Sequence, residues 1–176
     1  MRALFLLLLG LIASTAPAAE EMRRAQDAGL RYKVPARWER VPAPSDMRAA
    51  QYRVGEAEAI LFFFGEGQGG DVNANIDRWA SQFTQPDGRP SRDAAVVTKR
   101  TVGAAKVTTV DLSGTYAPAP MAPGAKASVR PDTRMLAAVI EGTGGPWFLR
   151  IVGPNATMSS VAPEFEQVVL SVDPHQ

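Results

Sequence analysis

Apolar and polar residues change period several times along this chain, and each change marks an element. Leu30, Tyr32 and Val34 alternate with Arg31 and Lys33 up to Pro35. Period-two alternation predicts a strand with one buried face, and Pro ends it because it donates no ladder hydrogen bond. Residues 38–41 read as a short continuation before Pro42 and Pro44, and residues 47–54 alternate again as a strand. Residues 59–64, Ala-Ile-Leu-Phe-Phe-Phe, have no polar face. A run of strand length without a polar side predicts a central strand covered on both faces. Then Val72, Ile76, Trp79, Ala80 and Phe83 fall on one face of a helix. Asp71 is its expected N-cap, and Pro86-Asp87-Gly88 lies beyond its end.

Residues 94–102 and 106–115 are rich in Val and Thr and predict two strands joined at Gly103-Ala104-Ala105. Residues 117–131 mix Ala and Pro and predict an exposed loop. Residues 134–141 and 147–152 read as strands joined by the turn 142–146. Val161, Phe165, Val168 and Val169 give residues 159–172 a helical face, with Pro163 near the start, where Pro is tolerated. Residues 20–28 are polar and read as a frayed helix. Several connections are too short for a crossover helix, so the strands pair antiparallel. The expected fold is α+β: one twisted, mainly antiparallel sheet flanked by the 72–83 and 159–171 helices. Trp79 belongs to its core, whereas Trp38 and Trp147, near strand starts, are expected at a sheet edge.

The first residues do not belong to this pattern. Arg2 precedes an apolar run over residues 4–12, and Ala16-Pro17-Ala18 supplies small residues at a cleavage site. These are the three parts of a secretory signal, and the run is short of the roughly 20 residues a membrane span needs. Residues 1–19 are therefore expected to be a leader cut after Ala18 or Ala19. Residues 20–176 then form a single domain, periplasmic or extracellular, with no membrane span. Of 176 residues, 19 are Lys or Arg and 18 are Asp or Glu. Loss of Arg2 leaves a neutral chain, which argues against nucleic acid or a polybasic membrane contact. There is no Cys, so disulfides, thiolate nucleophiles and zinc–thiolate sites are excluded. The one His is His175, which disfavours histidine metal cages and a Ser-His-Asp triad.

Gly65-Glu66-Gly67-Gln68-Gly69-Gly70 satisfies G-x-G-x-x-G between a predicted strand and a predicted helix. In a dinucleotide site such glycines let backbone approach a pyrophosphate. Here Asp71 places a carboxylate where the anion would sit, and the next strand ends at Lys99-Arg100 rather than at an acidic ribose ligand. The plainer reading is a tight turn needing positive φ. Asp71, Asn73, Asn75 and Asp77 imitate half a calcium loop. Ile76 and Gln82 then stand where that loop needs Gly and Glu. Glu66, Asp71 and Asp77 are the carboxylates from which a hydrolase pair would be drawn. No metal site and no cofactor is expected. Asn155-Ala156-Thr157 is a glycosylation sequon.

The runs Phe63-Phe64-Gly65-Glu66-Gly67-Gln68-Gly69-Gly70, Asn75-Ile76-Asp77-Arg78-Trp79 and Gln82-Phe83 resemble a family of small secreted bacterial proteins with no established activity. Residues 108–116 and 145–154 fit the same family. More distantly, the element order is similar to the PsbP-like fold of the extrinsic photosystem II subunits. That likeness implies an antiparallel sheet between helices and a non-catalytic accessory or binding role.

These readings lead to an exported, non-catalytic binding or accessory module. Its expected partner is an envelope protein or a small envelope ligand. Its candidate surface is Glu66, Gly67, Gln68, Gly69, Gly70, Asp71, Asn75 and Trp147, provided the turn and the strand ends share one side. The alternatives are a periplasmic hydrolase using carboxylates of segment 65–77, and nucleotide or anion binding at the glycine turn.

Overall fold

Every period-two segment finds a partner across an antiparallel ladder. A computed structural model describes residues 21–118 and 128–174. The expected leader, His175 and most of the expected 117–131 loop lie outside the described residues. The chain runs β1 (Met22–Asp27), β2 (Leu30–Pro35), β3 (Glu39–Arg40), β4 (Arg48–Val54) and β5 (Ala57–Phe63). Next come α1 (Val72–Ala80), β6 (Phe83–Thr84), α2 (Ser91–Ala94), β7 (Val96–Val102) and β8 (Ala105–Tyr116). The last elements are β9 (Arg130–Glu141), β10 (Trp147–Pro154), α3 (Asn155–Leu170) and β11 (Asp173–Pro174).

The strands form two sheets. The large one has the order β3-β4-β5-β10-β9-β8-β6, with β7 also on β8; the small one is β1-β2-β11. Side chains alternate across each strand of the large sheet, so it has two apolar faces. Leu61, Leu136, Ala138, Ile140, Trp147, Leu149 and Ile151 pack with Val161, Phe165, Val168 and Val169 of α3 and with Leu30, Tyr32 and Val34 of the small sheet. On the other face Val110, Leu112, Met135, Ala137, Val139, Phe148 and Val152 pack with Ile76, Trp79 and Ala80 of α1. This is the expected α+β sandwich, with a helix on each face. It is also why residues 59–61 lack a polar side: Ala59, Ile60 and Leu61 are covered from both directions.

Several local expectations need correction. Within the expected 20–28 helix the described residues instead form strand β1, Met22–Asp27. Their sequence carries no apolar period, and the strand is held by its register on β2, from Met22↔Pro35 to Asp27↔Leu30. Ala28 and Gly29 both take positive φ at the tip, as a two-residue hairpin turn demands. Helix α1 stops at Ala80. Ser81 and Gln82 close its last turn with bonds to Asp77 and Trp79 carbonyls, which frees Phe83 to pair with Tyr116. Helix α3 starts at Asn155, directly from β10, so Pro163 lies in its interior rather than near its start. Pro163 is exposed, and the helix continues through it on the packing of Val161, Phe165, Val168 and Val169. Strand β10 lies between β5 and β9, so Trp147 stands in the middle of the sheet rather than at an edge; Trp38 and Trp147 are both 0% exposed.

Candidate functional site

Strand β5 ends beneath the glycine turn, and α1 begins beyond it. Gly65, Gly67, Gly69 and Gly70 all have positive φ, which explains why the segment is written in glycine. The turn is tied down at three points. Gly67 N–H donates to Gly145 O at 2.9 Å, so the turn and the start of β10 do share one side. Gly69 lies on aromatic rings: a Cβ there would stand 2.5 Å from Phe148 Cε2 and 2.9 Å from Phe64 Cδ2. Asn75 Nδ2 donates to Gly69 O and Asp71 O, each at 2.9 Å.

The expected site residues divide into two groups. Glu66, Gly67, Gln68, Gly70 and Asp71 are exposed on the turn, and Gly69 is partly covered. Asn75 and Trp147 are not contact residues. Asn75 is 1% exposed and spends its amide on the turn backbone. Trp147 stacks on Phe63 and donates its Nε1–H to Ala28 O at 2.8 Å, so its ring is part of the interior.

Asp71 caps α1, its Oδ1 accepting from Ala74 N–H at 2.9 Å. The carboxylate therefore occupies the position an anion would take at the helix N-terminus. Asp77 pairs with Arg92 at 2.8 Å, and Glu66 is exposed on the turn. Six helical positions place Asp71 and Asp77 about 120° apart around the axis. The structure thus does not bring the three carboxylates of the hydrolase reading to one point. Among the described residues no group of three or more acidic or His side chains is arranged to hold a metal ion.

Sequence reasoning overlooked a second cluster on the same side of the sheet. Arg150 projects from central strand β10, flanked across its ladders by Ile60 and Ala137. Its guanidinium lies 5.6 Å from the Phe62 ring centre, and that of Arg48 lies 5.9 Å from the same ring. Arg150 reaches Gln82 Oε1 only at 3.4 Å. Burial holds the Arg150 pKa below the usual arginine range, and the like charges of Arg48 and Arg78 add to that against the opposing effects of Tyr116 and Glu58. Arg78 donates to Asn75 Oδ1. Asn75 therefore links the glycine turn to the arginine cluster. The available signal was one charge inside the otherwise apolar run Trp-Phe-Leu-Arg-Ile-Val, residues 147–152.

No protein-family model and no curated protein matches the chain. Among solved structures it is similar to the solution structure of cyanobacterial PsbP (CyanoP) from Synechocystis sp. PCC 6803. The identity is 14%, the match covers 94% of this chain and 100% of that one, and the TM-score is 0.55. The fold is PsbP-like. Identity this low establishes architecture and nothing about residues or ligands.

Proposed function

We propose that the protein is an exported accessory module that binds an envelope partner without catalysing a reaction. It works from the side of the large sheet covered by α1 and bordered by the glycine turn. The PsbP-like fold supports an accessory role by analogy. One observation carries the reading further. The carboxylates a hydrolase would need are dispersed, Asp71 and Asp77 being committed to a cap and an ion pair. On the same side Arg78 and Arg150 have no acidic partner among the described residues. Unspent charge on a fixed scaffold suits recognition.

The test is capture of the partner in the envelope with a photoreactive residue at Gln68, compared with one at Arg31 on the small sheet. Adducts from Gln68 alone, weakened by Gly67→Ala or Asp71→Ala, are expected. Recovery untouched by both substitutions would show that the turn is not the surface. Hydrolysis with a carboxylate limb in its pH–rate profile, lost in Asp71→Asn, would replace the binding reading altogether.

A further inference from the structure

Most arginines here have a carboxylate to answer them. Arg31 pairs with Asp173, Arg37 with Glu164, Arg40 with Asp27, Arg53 with Glu39, Arg92 with Asp77, Arg100 with Glu166 and Arg134 with Asp111. Arg150 is the conspicuous exception, because it is also largely enclosed. A guanidinium drawn largely out of water without a bonded carboxylate is costly, and like charges beside it raise that cost. Met or Leu would suit the run of residues 147–152 better, and neither would face Arg48 and Arg78.

We propose that Arg150, with Arg48 and Arg78, forms a binding site for a dianionic oxyanion of the phosphate or sulfate type. Among the described residues the charged side chains that act on Arg150 are Arg48, Arg78 and one carboxylate, Glu58, which stands 4.0 Å from Arg48. The net local charge of two suits a dianion better than a single carboxylate. The donors are available. Arg150 has five N–H groups and makes one long hydrogen bond, to Gln82. No buried side-chain nitrogen or oxygen among the described residues lacks a partner, so its remaining donors reach the surface. The planar forks of Arg48 and Arg150 against the one Phe62 ring match oxyanion edges as a lysine ammonium would not. Arg78 is fixed through Asn75, which gives the glycine turn a place in the same device: it positions a cation.

This site rests on the binding-module reading and gives it a ligand chemistry. It is tested without the partner. Thermal unfolding of the protein at low ionic strength is followed with inorganic phosphate, and in a second arm with vesicles containing phosphatidic acid. A phosphate-dependent rise of about 5–10 °C is expected at a hundredfold excess over Kd. Arg150→Gln should remove it, and Arg48→Gln should reduce it even where Arg150→Gln fails to fold. Arg31→Gln on the small sheet should leave it intact. A response to vesicles alone would assign the oxyanion to a lipid headgroup and keep the site. No response in either arm, or an equal response in wild type and Arg48→Gln, would overturn it. Gln68 adducts that persist after such a failure would leave the module reading standing with a different chemistry.

Discussion

On the α3 face of the large sheet Glu164 is buried and accepts from Trp38 Nε1–H at 2.8 Å and from Arg37. Nearby, Asp27 takes Tyr32 O–H at 2.6 Å and the fork of Arg40. On the α1 face Arg150 lies against Phe62 and Gln82 and feels the charges of two further arginines, with no carboxylate among the described residues in bonding range. The sheet is one structure, yet its two sides treat enclosed charge differently. Where each charge is answered, the polar groups reinforce packing and fix the position of α3 and the small sheet. Where a charge is left open, packing alone gives no reason for it. The contrast separates a side that maintains the fold from a side with chemistry to spare.

The largest test of that contrast lies on the α3 face. Trp38→Ala should cost about 3–5 kcal/mol in urea unfolding, because it empties a fully buried volume. It also strips Glu164 of a donor. Trp38→Phe keeps most of the volume and should cost about 1–3 kcal/mol, the penalty of the orphaned acceptor. Equal losses in the two variants would mean that the hydrogen bond, not the ring, carries the site.

The next test divides the glycine turn itself. Gly69→Ala forces a Cβ onto the buried Phe148 ring at φ +96°, and should cost about 2–4 kcal/mol. Gly67 has nothing within 4 Å of a Cβ and a φ of +68°, so Gly67→Ala should cost about 1–2 kcal/mol. Similar midpoints for the two would remove the claim that the turn is seated on the aromatic floor.

Tyr32 tests how the α3 side responds to pH. Its hydroxyl pKa stands well above the ordinary 10.0, chiefly from burial, with Tyr52 and Asp27 adding to the shift. The folded state thus holds this proton more tightly than the unfolded chain. The stability it contributes is full below pH 10 and is lost as pH rises beyond, by up to about 1.4 kcal/mol per pH unit. Tyr32→Phe should flatten the fall in unfolding free energy above pH 10. An unchanged alkaline slope would place the sensitivity elsewhere.

Period and punctuation made the sandwich legible. Leu30, Tyr32 and Val34, residues 59–61 and the Val72–Trp79 stripe each carry their burial in their spacing. Strand β1 was not legible, because Met-Arg-Arg-Ala-Gln-Asp has no apolar period and takes its state from pairing with β2. The start of α3 was hidden for a similar reason: Asn155-Ala156-Thr157 shows no apolar face. At the candidate site, glycine revealed the backbone but not the side chains. Asn75 and Trp147 are types that serve both ligands and interiors, and only three-dimensional packing decided between them. Arg150 was visible as a charge in an apolar strand, but its lack of a carboxylate is a property of space rather than of sequence.

The smallest effect is the most discriminating. In phosphate-free buffer Arg150→Met should leave stability unchanged or raise it by up to about 1 kcal/mol. A long apolar side chain fills the same position between Ile60 and Ala137 and removes a charge that Arg48 and Arg78 oppose. Structural arginines behave in the reverse way. Arg134 is bonded to both oxygens of Asp111, at 2.8 and 2.6 Å, and its truncation should destabilise by stranding a partly covered carboxylate. If Arg150→Met falls on the Arg134 side of zero, the guanidinium is holding the sheet together through Gln82 and Phe62, and the two faces are alike after all. If it falls on the other side, a residue that the fold does better without has been kept in the middle of its central strand, as a binding role would require.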